Sequence, residues 1–217
     1  TPVEVDADGV LANKVLSQIA AGDGYTCALD SEGKAYCWGK NSIGQLGNGS
    51  TDDSSVPVAV TTSGVLAGKT LSQLAVDGDH ACALDTEGKA YCWGSNSFGQ
   101  LGNGSTTSSQ VPVAVDASGV LAGKTLQQIV TAYNRSCALD SEGKAYCWGD
   151  NTYGKLGDGT TTTSNVPVAV KADGVLSGKT LTQIVGGSDY TCALDSDGKA
   201  YCWGYNSYGQ LGDGTTT

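Results

Sequence analysis

Four copies of one unit constrain this chain more than any other feature. The string "GKAYCWG" occurs at residues 33–39, 88–94, 143–149 and 198–204, and "CALD" begins six residues before it each time. Cys27, Cys82, Cys137 and Cys192 stand 55 residues apart, as do Trp38, Trp93, Trp148 and Trp203, and Pro2, Pro57, Pro112 and Pro167. A unit repeated at a fixed step buries its apolar surface against its neighbours, so the 217 residues are read as an array rather than divided by length into domains.

Within a unit, "CALDSEGKAYC" places apolar residues two apart on either side of a turn cluster, with Gly33 where a left-handed backbone is needed. A three-residue loop, Ser31-Glu32-Gly33, pairs Asp30 with Lys34. Counting back, Leu29 faces Ala35, Ala28 faces Tyr36 and Cys27 faces Cys37. The last pair falls at a non-hydrogen-bonded position, where alpha carbons approach to about 4.5 Å and a cross-strand disulfide can form. The same count predicts Cys82–Cys92, Cys137–Cys147 and Cys192–Cys202. Metal ligation is the rival reading, but the gap within each pair does not match structural zinc spacing and His80 is the only histidine. Four disulfides predict an extracellular, cell-surface or periplasmic address.

Two further strands are predicted per unit, "LSQIAAG" before the hairpin and "VPVAV" after a loop rich in glycine, serine and threonine. Four short antiparallel strands, buried on both faces and repeated, meet the requirement of a β-propeller blade, with a solenoid of stacked hairpins as the structural alternative. The predicted fold is all-β, a propeller of four 55-residue blades at about 3–57, 58–112, 113–167 and 168–217. The last unit stops short of its "VPVAV" strand while the chain opens with "TPVEV", so residues 1–5 are expected to complete the last blade. They would do so within the chain, making four blades, or by exchange between two chains, making a homodimer of eight.

The string "GDGYTCALDSEGKAYCWGKNSIGQLGNG" resembles the repeat of the regulator of chromosome condensation family: a glycine-containing turn, a small-aliphatic strand, an Asp-x-x-Gly turn, an aromatic-Trp-Gly step and Asn-x-x-Gly-Gln-Leu-Gly. The resemblance covers all four units and implies a propeller, commonly of seven blades. The cysteine pairs and near-identical copies resemble a secreted bacterial branch. The nuclear namesake is a nucleotide-exchange factor that binds chromatin, and that activity is not carried over, because these uniform repeats lack an inserted wedge. Two positions depart from the pattern: Lys155 stands where Gln45, Gln100 and Gln210 stand elsewhere, and Arg135 replaces Tyr25, His80 and Tyr190. Lysine at 155 puts local blade contacts in question.

The net charge of −10, with Arg135 as the only arginine, is the wrong sign for neutralising phosphates, so no nucleic-acid partner is expected. No apolar run approaches the roughly 20 residues of a membrane helix, and membrane insertion is not expected either. The absence of methionine, even at position 1, reads as a mature or excised segment.

Differences between copies are concentrated at two places. Before each first cysteine come Asp23-Gly24-Tyr25, Gly78-Asp79-His80, Tyr133-Asn134-Arg135 and Ser188-Asp189-Tyr190. After each Trp-Gly come Lys40, Ser95, Asp150 and Tyr205, then Ile43, Phe98, Tyr153 and Tyr208. In an up-and-down blade both loops emerge on one face, so the candidate binding residues are Asp23, Tyr25, Lys40, Asp79, His80, Tyr133, Asn134, Arg135, Asp150, Asp189, Tyr190 and Tyr205. Ile43, Phe98, Tyr153 and Tyr208 are also readable as packing between blades.

Catalytic chemistry is not indicated: no nucleophile stands with a base, no carboxylate pair has useful spacing, and Asp30, Asp85, Asp140 and Asp195 are explained by turn chemistry. "DADG" at 6–9 and "TDD" at 51–53 fall short of a calcium loop, so neither metal nor cofactor is expected. Asn48, Asn103 and Asn134 begin Asn-x-Ser triplets that matter only in a glycosylating host. The expected function is a non-enzymatic scaffold, secreted or surface-displayed, that binds a protein or glycan. The alternatives are an inhibitor of an enzyme such as a β-lactamase, as the resemblance implies, and a structural segment of a larger bacterial surface protein.

Overall fold

A computed structural model describes residues 1–217. In the first unit, strands β1 (Leu16–Ala21), β2 (Tyr25–Asp30), β3 (Ala35–Gly39) and β4 (Ser54–Ala59) form one antiparallel sheet in sequence order. The second sheet is β5 (Leu71–Asp77), β6 (His80–Asp85), β7 (Ala90–Gly94) and β8 (Ser109–Ala114). The third is β9 (Leu126–Ala132), β10 (Arg135–Asp140), β11 (Ala145–Gly149) and β12 (Ser164–Ala169). These are propeller blades, with the inner strands β1, β5 and β9 adjacent around the axis.

The hairpin register is the one read from the turn. Leu29 faces Ala35, Ala28 faces Tyr36 and Cys27 faces Cys37, and the equivalent pairing recurs in the other three units. All eight cysteines are joined within their own blades, with alpha carbons 4.0 to 4.1 Å apart. At the turn itself, Asp30 is 2% exposed. One carboxylate oxygen accepts the Glu32 and Lys34 N–H groups at 2.9 and 2.8 Å, and the other accepts the Tyr36 hydroxyl at 3.0 Å.

Burial is shared between blades rather than held inside each. One apolar cluster joins blades 1 and 2, a second joins blades 2 and 3, and a third joins blades 3 and 4. In each, the cysteine and leucine face of one blade meets the alanine, tyrosine and tryptophan face of the next. Gly47, at φ +64°, shows how close the contact is, because a Cβ there would lie 2.8 Å from the Trp93 ring of the following blade. Short helical turns at Gly64–Leu66 and Gly174–Leu176 lie in the links between blades and an equivalent turn at Gly9–Leu11 precedes the first blade, each with a buried leucine. Their Gly-Val-Leu sequence had no reading at the level of sequence.

The fourth sheet has three strands, β13 (Leu181–Gly186), β14 (Tyr190–Asp195) and β15 (Ala200–Gly204). Residues 1–7 adopt no strand and Val3 is 88% exposed. Closure of the ring within the chain is therefore not the arrangement present. The faces that a neighbouring blade covers elsewhere stay open on the first and last blades, so the four blades form an open arc. The outward faces of its first and last members leave Ile19 63% and Leu194 37% exposed.

Candidate binding face

The loop between the first and second strands and the loop between the third and fourth emerge together, as the strand order requires. They are joined across blades by polar contacts. Lys40 pairs with Asp79 of the next blade at 2.9 Å, and Gln45 donates to the same carboxylate at 3.0 Å. The hydrogen bond that Lys40 itself donates to Asp79 holds its ammonium above its ordinary pKa.

In the third unit Lys155 stands at the glutamine position and is 3% exposed. Its ammonium lies 2.9 Å from Asp150 and 2.7 Å from Asp189 of the next blade. Burial pushes the Asp150 carboxyl up, but the Thr152 N–H, Lys155 and the Thr152 hydroxyl together hold it below its ordinary value. The blade contact questioned for lysine is therefore kept, with an ion triad replacing the amide, and the Lys155 carbonyl accepts Trp203 Nε1 at 3.1 Å as Gln45 and Gln100 accept Trp93 and Trp148.

Three of the predicted binding residues are corrected by their placement: Tyr25, His80 and Arg135 are 3%, 0% and 1% exposed. In blades 1 to 3 the residue two before the first cysteine points between blades, because its side chain lies on the same face as that cysteine and meets the neighbouring sheet. His80 Nε2 lies 2.9 Å from Ser136 Oγ in the next blade, and that hydroxyl donates to the Gln100 carbonyl, so the imidazole is the donor. This is a histidine–serine contact sealed inside a junction. Asp150 is also buried, at 7%. Asp23 and Tyr133 are exposed, and Lys40, Asp79, Asn134, Asp189, Tyr190 and Tyr205 are half-buried.

The aromatic side chains allowed for as inter-blade packing stand outside instead. Phe98, Tyr153 and Tyr208 are 39%, 56% and 87% exposed. Tyr205 links the two tyrosines, its ring centroid 4.8 Å from that of Tyr153 and 6.1 Å from that of Tyr208. Of the three non-glycine residues with positive φ, two are exposed tyrosines of this face, Tyr133 at +47° and Tyr153 at +68°. Bulky side chains disfavour that backbone, and such strain concentrates at functional sites. The signal available in the sequence was the aromatic series at 98, 153 and 208; its exposure was not.

Elsewhere, a polar hollow of about 570 Å³ lies beside Gln73, Gln128, Thr182 and Gln183. Its one ionisable side chain, Asp140, is engaged by the Glu142 and Lys144 N–H groups at 2.9 Å and by the Tyr146 hydroxyl at 2.8 Å. The hollow does not bring a nucleophile to a base.

Burial pushes the His80 pKa down to about 4, against the opposing pull of the Tyr133 backbone and Asp79. With the folded value below the unfolded value of about 6.5, the unfolded chain takes up the proton first as pH falls. The stabilisation is fully present above that unfolded value and is lost as pH drops through about 4, a change on the order of 3 kcal/mol. His80→Gln keeps a donor for Ser136 without a titrating group. Denaturant unfolding at pH 7 and at pH 4.5 is expected to show wild type losing at least about 1 kcal/mol more than the variant. Equal losses would show that His80 is not the titrating element.

A model of the RCC1-like domain family matches residues 1–217. The chain is 35% identical over 199 residues to the ultraviolet-B receptor UVR8 of Arabidopsis thaliana, covering 92% of this chain and 43% of that protein. It is 32% identical over 209 residues to human E3 ubiquitin-protein ligase HERC2, covering 94% of this chain and 4% of the ligase. Among solved structures, human WBSCR16 superposes with a TM-score of 0.82 at 28% identity, over 94% of this chain and 51% of that one. Yeast RCC1 (Prp20), solved bound to Kap60, superposes with a TM-score of 0.73 at 26% identity, over 91% and 45%. The chain thus spans less than half the length of these curated relatives, and on the match of its whole length it belongs to the RCC1-like domain family.

Proposed function

We propose that this chain is a non-enzymatic binding scaffold, secreted or displayed at a cell surface, that recognises a protein or glycan through the loop face bearing Tyr133, Tyr153, Tyr205 and Tyr208. The tyrosine cluster of blades 3 and 4 carries the reading. Rigid aromatic side chains offer contact area at low entropic cost, and two of these four are held exposed on a backbone that disfavours them. Half-buried Asp79, Asp189 and Lys40 lie on the same face as polar neighbours. Four disulfides suit an oxidising compartment. Protein binding has precedent in relatives of similar fold: one yeast RCC1 structure is a complex with Kap60, and another concerns binding to Gsp1p and histones. The acidic charge favours a partner other than nucleic acid.

The test is profiling on glycan and protein arrays, wild type against the triple variant Tyr153→Ser, Tyr205→Ser, Tyr208→Ser. Binding is expected to fall at least about tenfold with thermal stability unchanged. Equal capture by both proteins sinks the reading. If the captured partner is a hydrolase, such as a β-lactamase, one-to-one loss of its activity identifies an inhibitor. Capture of nothing by either protein favours a structural segment of a larger surface protein.

A further inference from the structure

The "GKAYCWG" string of every unit carries a lysine that the loop face does not use. Lys14, Lys69, Lys124 and Lys179, each shortly before an inner strand, hold two carboxylates apiece. Lys40, Lys155 and Lys171 are paired as well. The lysines left without a carboxylate partner are Lys34, Lys89, Lys144 and Lys199, the one in that string in each unit. In a chain of net charge −10, an ammonium left free at one repeated position runs against the rest of the surface.

Two of these lysines stand over apolar cavities. At the junction of blades 2 and 3, Lys89 and Ala117 lie on the lining of a cavity of about 150 Å³ walled by Tyr91, Val115, Leu121 and Leu126. At the junction of blades 3 and 4, Lys144 and Ala172 line its equivalent, of about 130 Å³, walled by Tyr146, Val170, Leu176 and Leu181. Both lie beside the turn between the second and third strands, on the side opposite the loop face. Lys89 Nζ donates to the Lys124 carbonyl at 3.3 Å and Lys144 Nζ to the Lys179 carbonyl at 3.4 Å, so two N–H donors of each ammonium remain. The other polar groups are committed. Asp85 and Asp140 take the Tyr91 and Tyr146 hydroxyls, and Lys124 and Lys179, the second lysine of each lining, are ion-paired.

The junction of blades 1 and 2 is an internal control. There the space beside Lys34, Val60, Leu66 and Leu71 is only about 10 Å³. The one lining position whose residue type changes is Thr62, where the other two junctions have Ala117 and Ala172. A threonine side chain fills what alanine leaves open. All three places are junctions within the chain and involve neither of its ends.

We propose that the cavities at Lys89 and Lys144 each bind a small carboxylate with an apolar body about the size of one aromatic ring. The body lies among the tyrosine, valine and leucine walls, and the carboxylate accepts the free N–H groups of the lysine. Size sets the first half of this assignment, because an apolar cavity of about 150 Å³ stays dry and admits a benzene-sized molecule. Charge sets the second, because the one uncommitted ionic group on each lining is a cation, and a charge-assisted hydrogen bond to carboxylate is the strong kind. This site is separate from the tyrosine face and does not depend on what that face binds.

The probe is phenylacetate, titrated into the isotope-labelled chain with its disulfides intact and followed by amide NMR. Binding is expected with a Kd on the order of 0.1–1 mM, the affinity that about ten non-hydrogen atoms support. Amides of residues 115–121 and 170–176 are expected to shift while those of residues 60–66 stay still. Phenylethylamine, of opposite charge, is expected to bind at least about tenfold more weakly. Ala117→Thr should abolish the shifts at 115–121 alone, and Thr62→Ala should create new ones at 60–66; each variant places a residue the chain already accommodates at the equivalent position, and the same spectra report its fold. Lys89→Gln should weaken phenylacetate at 115–121 at least about fivefold while leaving 2-phenylethanol unchanged, which a merely structural lysine would not do. Absence of shifts at both segments, equal binding of the amine, indifference to Ala117→Thr, or no third site in Thr62→Ala each overturns the proposal.

Discussion

Reduction of all four disulfides is expected to unfold this chain at 25 °C, and the four bonds are expected to open in a fixed order. Each bond joins residues ten apart in the sequence. On a chain-entropy argument each contributes roughly 2–3 kcal/mol, so the set contributes about 10 kcal/mol, as large as the whole net stability of an ordinary domain. Order follows from where the sulfurs lie. The cysteines of blades 1 to 3 are no more than 2% exposed, sealed against the next blade. Cys192 and Cys202 are half-buried, because no blade covers that face within the chain. A thiolate must reach the sulfur it attacks, so Cys192–Cys202 should open first and the other three only as blades separate. Time-resolved alkylation with mass spectrometry, read beside circular dichroism, checks both statements. Simultaneous opening of all four with native dichroism retained would show that the bonds are accessory to the fold.

The hairpin was legible residue by residue, since a three-residue loop with glycine at its left-handed position leaves one pairing only, and that pairing brings Cys27 to Cys37. Repetition extended one reading to the whole chain. What repetition does not encode is the wedge angle between blades. That angle depends on how Trp93, Trp148 and Trp203 seat on Gly47, Gly102 and Gly157, a contact between residues far apart in sequence. Ring closure was accordingly open at the sequence level, and the structure leaves residues 1–5 off the fourth sheet of their own chain.

The binding face was half legible for a different reason. Variation between copies marks positions the shared scaffold does not fix, but it does not say whether a side chain differs because it faces solvent or because it faces a neighbour that also differs. Tyr25, His80 and Arg135 belong to the second kind. Gly22 and Gly187 accompany Tyr25 and Tyr190, and a Cβ at either glycine would lie 2.4 or 2.3 Å from the tyrosine ring. The copies with histidine and arginine carry Asp77 and Ala132 at that place. Gly186 likewise leaves room for Ala132 and Arg135 of the preceding blade, where the second and third copies hold Val76 and Thr131. These substitutions fit one another, which neutral drift of exposed loops does not produce.

Arg135→Met is therefore expected to destabilise the chain by about 3–4 kcal/mol, as loss of a buried charged donor does, while leaving the exposed tyrosines untouched. The guanidinium is 1% exposed and binds entirely across the junction, Nε to Thr191 Oγ1 at 3.2 Å, Nη1 to the Ser188 carbonyl and Nη2 to the Gly187 carbonyl at 2.9 Å, with Nη2 also on the Tyr190 carbonyl. Burial lowers its pKa to about 10, which keeps it charged at neutral pH. Methionine fills the volume and offers none of these donors. Arg135→His should cost about half as much, because an imidazole can donate to Thr191 Oγ1 as His80 does to Ser136 Oγ, and Thr191 already donates onward to the Lys155 carbonyl as Ser136 does to Gln100. Urea unfolding of the three proteins, at a concentration where each has the same oligomeric state, gives the ranking. A methionine variant as stable as wild type but unable to capture ligand would return Arg135 to the binding face; one that is destabilised and still binds at low temperature fixes it as the bolt between blades 3 and 4.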